Sequence, residues 1–306
     1  MFRNCILYSV TLPQNIKTAE EVAAALGFRD WFEPCGPAQE KSCGWIPPRH
    51  EHGELVESIN GQLIAKFCIQ TKSVPKAALD EKVDAITANI EATTGRKPGK
   101  KGRRALADDA RLELLPHAFP KTKEAYVWID RAKGLLFIDT SSQAVADEVV
   151  TSLVNLFEGA IVKPVETKTA ASSVMAAWLH HGSDLDDGDR DGFSLGRACV
   201  LKSNDGEKSQ VAYKRHPLFS DEIREHIERG LLPKRLDLTF NGRLDLTLHD
   251  SLKLTGIKLL DVAIDPAEPA DAFDADVTII TAELGKAVSA LIEGPLDGVA
   301  EAEAAP

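Results

Sequence analysis

The chain has 306 residues, 43% hydrophobic and 27% charged, which is enough apolar material for one large folded unit or two moderate ones and leaves no sign of wholesale disorder. Nothing approaches the roughly 18 consecutive apolar residues of a membrane span, and Met1-Phe2-Arg3-Asn4-Cys5 lacks the basic-then-apolar start of a secretory leader, so a cytoplasmic protein is expected. The five cysteines (Cys5, Cys35, Cys43, Cys68, Cys199) are odd in number and widely spaced, as reduced thiols are rather than a disulfide framework, and the net charge of −11 argues, taken alone, against a nucleic-acid ligand.

In chain order, residues 2–12 read as a strand. Thr18-Ala-Glu-Glu21 is a capping box that opens a short helix, and Gly27 stands where a glycine C-cap would end it. Residues 28–60, rich in Pro, Gly and His, read as loops with short strands, and Gln62–Thr71 as a second strand. A helix is predicted from Pro75 to Thr93, because Leu79, Val83, Ile86 and Ile90 fall on one stripe. Gly95-Arg-Lys-Pro-Gly-Lys-Lys-Gly-Arg-Arg104 reads as a flexible basic loop or arm, followed by a helix from Ala105 to Leu115 that stops at Pro116. Tyr126–Asp130 and Gly134–Asp139 make a hairpin, and Ser142–Phe157 a helix.

In the second half, Ser172–His181 reads as a helix, Arg197–Lys202 and Gln210–Lys214 as strands, and Ser220 as the N-cap of a helix ending at Gly230. Arg235–Phe240 and Arg243–Leu248 pair around Asn241-Gly242, the strongest short hairpin signal. Lys253–Ile264 adds a strand. Val277–Glu293 is either a strand and then a helix or one longer helix, and the tail 296–306 is expected to be disordered. Hairpins mixed with helices, without a strict βαβ beat, give an α+β fold with largely antiparallel sheets and flanking helices.

The charge is segregated along the chain. Gly61–Lys133 carries 15 Lys and Arg against 9 Asp and Glu, a net of +6; the remaining 21 basic and 38 acidic residues leave −17. One positive face on an acidic protein can still bind phosphate. Arg96, Lys97, Lys100, Lys101, Arg103 and Arg104, with no carboxylate among them, are the main candidate DNA contacts, since dense cations gain by releasing counterions from a polyanion. Gly95 to Gly99 has the wrong spacing for a P-loop, and Lys101 stands where such a loop needs Ser or Thr. Lys121, and Lys214 with Arg215 beside His216, are smaller basic candidates, against a reading as plain surface charge. Phe119, between Pro116 and Pro120, is either a core residue or presented to a partner; the residues alone lean to the core.

Other constellations carry less. Asp187-x-Asp189-x-Asp191-Gly192 copies half of a calcium loop, but Ala198 stands where the bidentate Glu is needed. His50-x-His52 with Cys43, and His180-His181, match no zinc spacing. There is no nucleophile elbow and no dinucleotide fingerprint, so neither an enzyme, a metal nor a cofactor is expected.

An ordered set of segments resembles the RdgC family: Phe32-Glu-Pro-Cys-Gly36, Gly44-Trp-Ile-Pro-Pro48, Asn60-Gly-Gln62, Leu114-Leu-Pro-His-Ala-Phe119, Trp128-Ile-Asp130, Gly134-Leu135, Asp221-Glu-Ile-x-x-His-Ile-Glu-x-Gly230, Phe273-Asp-Ala-Asp276, Glu283-Leu284 and Leu291-Ile-Glu-Gly294. The resemblance spans almost the whole chain, so residues 1–295 are taken as one ring-forming unit with a basic finger-like region near 94–124. It implies a homodimeric ring with a positively lined hole, binding to double-stranded and single-stranded DNA with little sequence preference, restraint of RecA-mediated strand exchange, and a nucleoid location. It also implies that Phe119 closes the ring against the partner subunit. The family can carry Arg where this chain has His117, which removes a permanent charge here. The rival reading is a regulator that binds the recombinase itself, with DNA contact incidental.

Overall fold

Near-continuous apolar runs on paired strands, such as Leu63–Ile69 and Leu135–Ile138, give a sheet two apolar faces, each of which must be covered. The computed structural model shows what covers them; it describes residues 1–13, 16, 18–181, 190–203, 209–260 and 269–300, without the side chains of 28, 29 and 269–271. Strands β1 (Ile6–Thr11), β2 (Lys41–Ile46), β3 (Val56–Ile59), β4 (Gln62–Lys72), β5 (Pro120–Asp130), β6 (Leu135–Ile138) and β7 (Ile161–Pro164) form one sheet in the order β2-β4-β5-β6-β1-β7, with β3 also on β4. A second sheet has the order β12-β11-β10-β8-β9, built from β8 (Phe193–Ser203), β9 (Gln210–Lys214), β10 (Leu231–Phe240), β11 (Leu244–His249) and β12 (Leu254–Leu259). Every pairing within the two sheets is antiparallel. The helices are α1 (Ala19–Arg29), α2 (Lys76–Thr94), α3 (Lys100–Leu114), α4 (Gln143–Leu156), α5 (Ala171–His180), α6 (Asp221–Glu228) and α7 (Pro269–Glu293).

The period of two sorts the first sheet's residues. Ile6, Tyr8, Leu63, Ala65, Phe67, Val127, Ile129, Leu136 and Ile138 point to a core closed by α1 and α4, through Val22, Leu26, Val149 and Leu153. Leu7, Ile64, Trp128, Leu135 and Phe137 point to the other core, closed by α5, α7 and the inner face of the second sheet. There Trp128 stacks on Phe137 with ring centroids 3.8 Å apart, and α7 crosses so closely that a Cβ on Gly285 would lie 3.3 Å from the Trp128 ring. Backbone hydrogen bonds from Cys5 to Leu254 and back join the two sheets. Burial of the five unpaired cysteines is greatest at Cys5, Cys68 and Cys199; desolvation pushes the Cys68 thiol up to about 11 and Cys199 to about 12, so they act as small apolar groups.

Several boundaries differ from expectation. The capping box at Thr18 and Glu21 is present, but α1 runs through Gly27 to Arg29, because Val22 and Leu26 already commit its buried face and the Asp30 N–H closes the last turn on the Leu26 carbonyl. The basic segment is not a loop throughout. Gly95, at φ +69, ends α2, and after Pro98 and Gly99 the chain is helical from Lys100, five residues ahead of the expected start. A one-turn 3-10 helix, Leu115–His117, then carries the chain past Pro116. Residues 253–264 supply a strand only over Leu254–Leu259, and 261–264 lie outside the described residues. Val277–Glu293 belongs to one helix. The start of the tail is ordered: Leu296 is fully buried, Thr169 and Lys168 donate to the Leu296 and Gly298 carbonyls, and Ala300 donates to the Glu166 carbonyl, so burial of one leucine and three hydrogen bonds outweigh composition there. Residues 301–306 lie outside the described residues.

Candidate nucleic-acid interface

The register of β4 against β5 runs from Leu63 opposite Ile129 out to Lys72 opposite Pro120, and the chain between those outer ends is α2, α3 and the 3-10 turn. A helical hairpin is thus inserted between two central neighbours of the sheet. Its own core is small. Val83 and Thr87 of α2 face Ala110 of α3, and Leu115 anchors the turn; the flanking Leu79, Ile86, Ile90, Leu106 and Leu114 are half-buried. Lys82 pairs with Glu113 at 2.6 Å and Arg103 with Asp84 across the two helices, while Arg111 reaches Glu40 of the body at 3.8 Å.

The basic residues cluster where the two helices meet. Arg96 and Lys97 lie in the connection, and Lys100, Lys101, Arg103 and Arg104 fill the first turn and a half of α3; all six are exposed. Arg103 bridges to Asp84 and Lys97 to Glu91 at 3.5 Å. Arg96, Lys100, Lys101 and Arg104 have no carboxylate within 4 Å among the described residues. Gly99 caps α3 without a side-chain acceptor, so unsatisfied N–H groups and four cations share one helix end. Cations there oppose the helix dipole, and an anion would relieve both.

Lys121 is exposed on β5 at the base of the hairpin. Lys214 and Arg215 stand elsewhere, at the end of edge strand β9 in the second sheet, so the fold does not join them in sequence or in sheet to the hairpin tip. Sequence reading missed Arg197. The Arg197 guanidinium donates to the Arg215 carbonyl at 3.2 Å, and only the β8–β9 pairing brings it there. Phe119 is 90% exposed, which corrects the lean towards a core residue: Leu115 takes the buried position of that turn, and the extended Ala118 turns the ring outward just before β5 begins at Pro120. Leu112, on α3, is also exposed.

The metal readings gain nothing. Asp187 and Asp189 of the half calcium loop lie outside the described residues. Among the described residues no group of three or more His, Cys, Asp or Glu is placed to hold a metal ion, and no helix is long and apolar enough to cross a membrane.

Comparison with known proteins bears on the whole chain. A family model described as "Putative exonuclease, RdgC" matches residues 1–295. A protein of Dechloromonas aromatica named Recombination-associated protein RdgC is 31% identical over 313 residues, covering 99% of each chain. Relatives of the same name from Janthinobacterium sp. and Halorhodospira halophila are 30% and 31% identical, each covering 95% of this chain and 96% of the relative.

Proposed function

The chain belongs to the RdgC family, and from that premise we propose that it is a non-enzymatic DNA-binding protein without sequence preference, which encircles duplex DNA as a homodimeric ring and restrains RecA-mediated recombination. A cytoplasmic, nucleoid-associated location follows from that role. The observation that carries the reading is the hairpin tip, where Lys100, Lys101 and Arg104, exposed and without carboxylate partners among the described residues, share an uncapped helix end, with Arg96 in the connection just before it. Such a surface suits phosphates, whose contacts position a protein on DNA without reading bases. A ring needs no base-edge contact, and it tolerates an acidic exterior if its inner surface is positive. Two-fold symmetry would put two such tips in one hole.

The test is a gel-shift titration with unrelated duplexes of equal length at two salt concentrations, comparing the native chain with a Lys100→Ala/Lys101→Ala/Arg103→Ala/Arg104→Ala variant. Similar affinity across sequences is expected, with a steep salt dependence that becomes shallower in the variant by about 0.9 for each phosphate that is no longer neutralised. Unchanged affinity at low salt would remove these residues from the interface. If instead the chain bound RecA in nuclease-treated extract and did not bind DNA, the regulator would act on the recombinase directly. Turnover of labelled DNA with magnesium or manganese would replace the proposal by a nuclease.

A further inference from the structure

Phe219 is 50% exposed, between the buried Leu218 and Ser220, the N-cap of α6. The guanidinium of Arg190, itself buried, lies over the ring at 5.6 Å from its centroid. A cation–π contact of this kind fixes the plane of the ring. Half of the residue remains open to solvent.

The chain just before it is held in an unusual shape. Arg215 has φ +54, a left-handed conformation that long side chains rarely adopt. Two hydrogen bonds to β8 hold it: the Arg197 guanidinium donates to the Arg215 carbonyl at 3.2 Å, and the His216 N–H donates to the Arg197 carbonyl at 3.0 Å. Backbone strain maintained by neighbouring structure is found preferentially at binding sites. The result is that three exposed cations stand together ahead of the ring, Lys214 and Arg215 five and four residues before Phe219 in the chain and Arg197 beside Arg215 across the β8–β9 pairing, with no carboxylate within 4 Å among the described residues. Of the acids that begin α6, Asp221 pairs with Arg224 at 3.3 Å.

We propose that Arg197, Lys214, Arg215 and Phe219 form a second nucleic-acid contact that takes an unpaired strand, with phosphates on the three cations and one base stacked on the Phe219 ring. Cations follow the backbone of either form of DNA, but a ring can stack only on a base whose face is uncovered, and within a duplex both faces are covered. The inference rests on the DNA-binding reading above and adds to it a site selective for single strands, on a different sheet from the hairpin.

The experiment measures fluorescence anisotropy with three labelled probes: an oligothymidylate, an abasic strand of equal length, and a duplex whose ends are closed by hairpins. Phe219→Ala and Phe219→Leu should weaken oligothymidylate binding by about tenfold and leave the other two probes unchanged. Phe219→Trp should restore it. Lys214→Ala/Arg215→Ala should weaken the abasic strand as well, since the phosphates remain. The leucine variant keeps apolar packing, so it separates stacking from a folding defect. Native affinity for oligothymidylate in the Phe219→Leu variant, or an equal loss on all three probes, would overturn the stacking site while leaving duplex binding intact. Failure of the native chain to bind any probe would overturn the DNA-binding reading itself.

Discussion

Gly44 shows how much one residue type can decide. It lies on β2, opposite Cys68 of β4, and on its other side the chain after α1 returns to pair with it: Trp45 donates to the Asp30 carbonyl at 2.7 Å and Phe32 to the Trp45 carbonyl at 3.1 Å. A Cβ on Gly44 would lie 2.6 Å from backbone atoms of both Asp30 and Phe32. Backbone cannot swing aside as a side chain can. The same corner is tied below by the Trp45 indole donating to Ser152 at 2.8 Å, and by Ser152 donating to Asp30. Gly44→Ala should therefore destabilise the fold by about 1–3 kcal/mol, the ordinary cost of overpacking, seen as a lower midpoint in urea with an unchanged slope. A midpoint equal to that of the native chain would mean that the α1–β2 return is loose. The resemblance marked Gly44 in the sequence, but its reason was hidden, because the atoms it must avoid are more than ten residues away in the chain.

Among elements, α3 departs most from its sequence signal. Gly95, Pro98, Gly99 and Gly102 within ten residues read as loop, and Gly and Pro are the strongest breakers of a helix. What outweighs them is tertiary: Leu106, Ala110 and Leu114 recur at four-residue spacing against the stripe of α2, and Gly102 packs where an added Cβ would sit 3.4 Å from Pro98. Hairpins whose turn chemistry is local, such as the one around Asn241-Gly242, were legible from sequence because nothing distant has to be known, although the register pairs Phe240 with Leu244, so Arg243 belongs to the turn and the second strand is Leu244–His249 rather than Arg243–Leu248. The α3 helix has its charges reversed for stability, with Lys100, Lys101, Arg103 and Arg104 at the positive end of the dipole and Asp108, Asp109 and Glu113 in the later turns. Stability and DNA binding should thus pull apart here. Lys100→Glu/Lys101→Glu should stabilise α3 by about 0.3–1 kcal/mol per charge, read as slower amide hydrogen exchange over 100–114, while duplex affinity falls. Faster exchange in that variant would mean that the lysines hold the helix by interactions other than charge.

At the scale of the whole molecule, the exposed Phe119 has to be reconciled with a ring. A side chain of that size left 90% in solvent gains nothing for its own subunit, yet Leu115 beneath it and a flanking proline on each side hold the turn that presents it. Under the proposed two-fold symmetry each subunit offers one such ring to the other, and burial of a phenylalanine is worth about 1.5–3 kcal/mol for each side chain. That is enough to bias a closed ring and little enough to let it open onto DNA. The −17 carried outside residues 61–133 would repel phosphate, so under the proposed ring retention would come from closure and from the basic tips together. Phe119→Asp should therefore leave the thermal midpoint of the folded chain almost unchanged, since exposed substitutions usually fall within about 0.5 kcal/mol. It should speed release from closed-circular DNA until the rate matches that from linear DNA of the same length. Sedimentation of the variant without DNA reports whether Phe119 also sustains the dimer or acts only at the point of closure. If release from circles stays slower than from linear ends in Phe119→Asp, another surface closes the ring and Phe119 serves a different one.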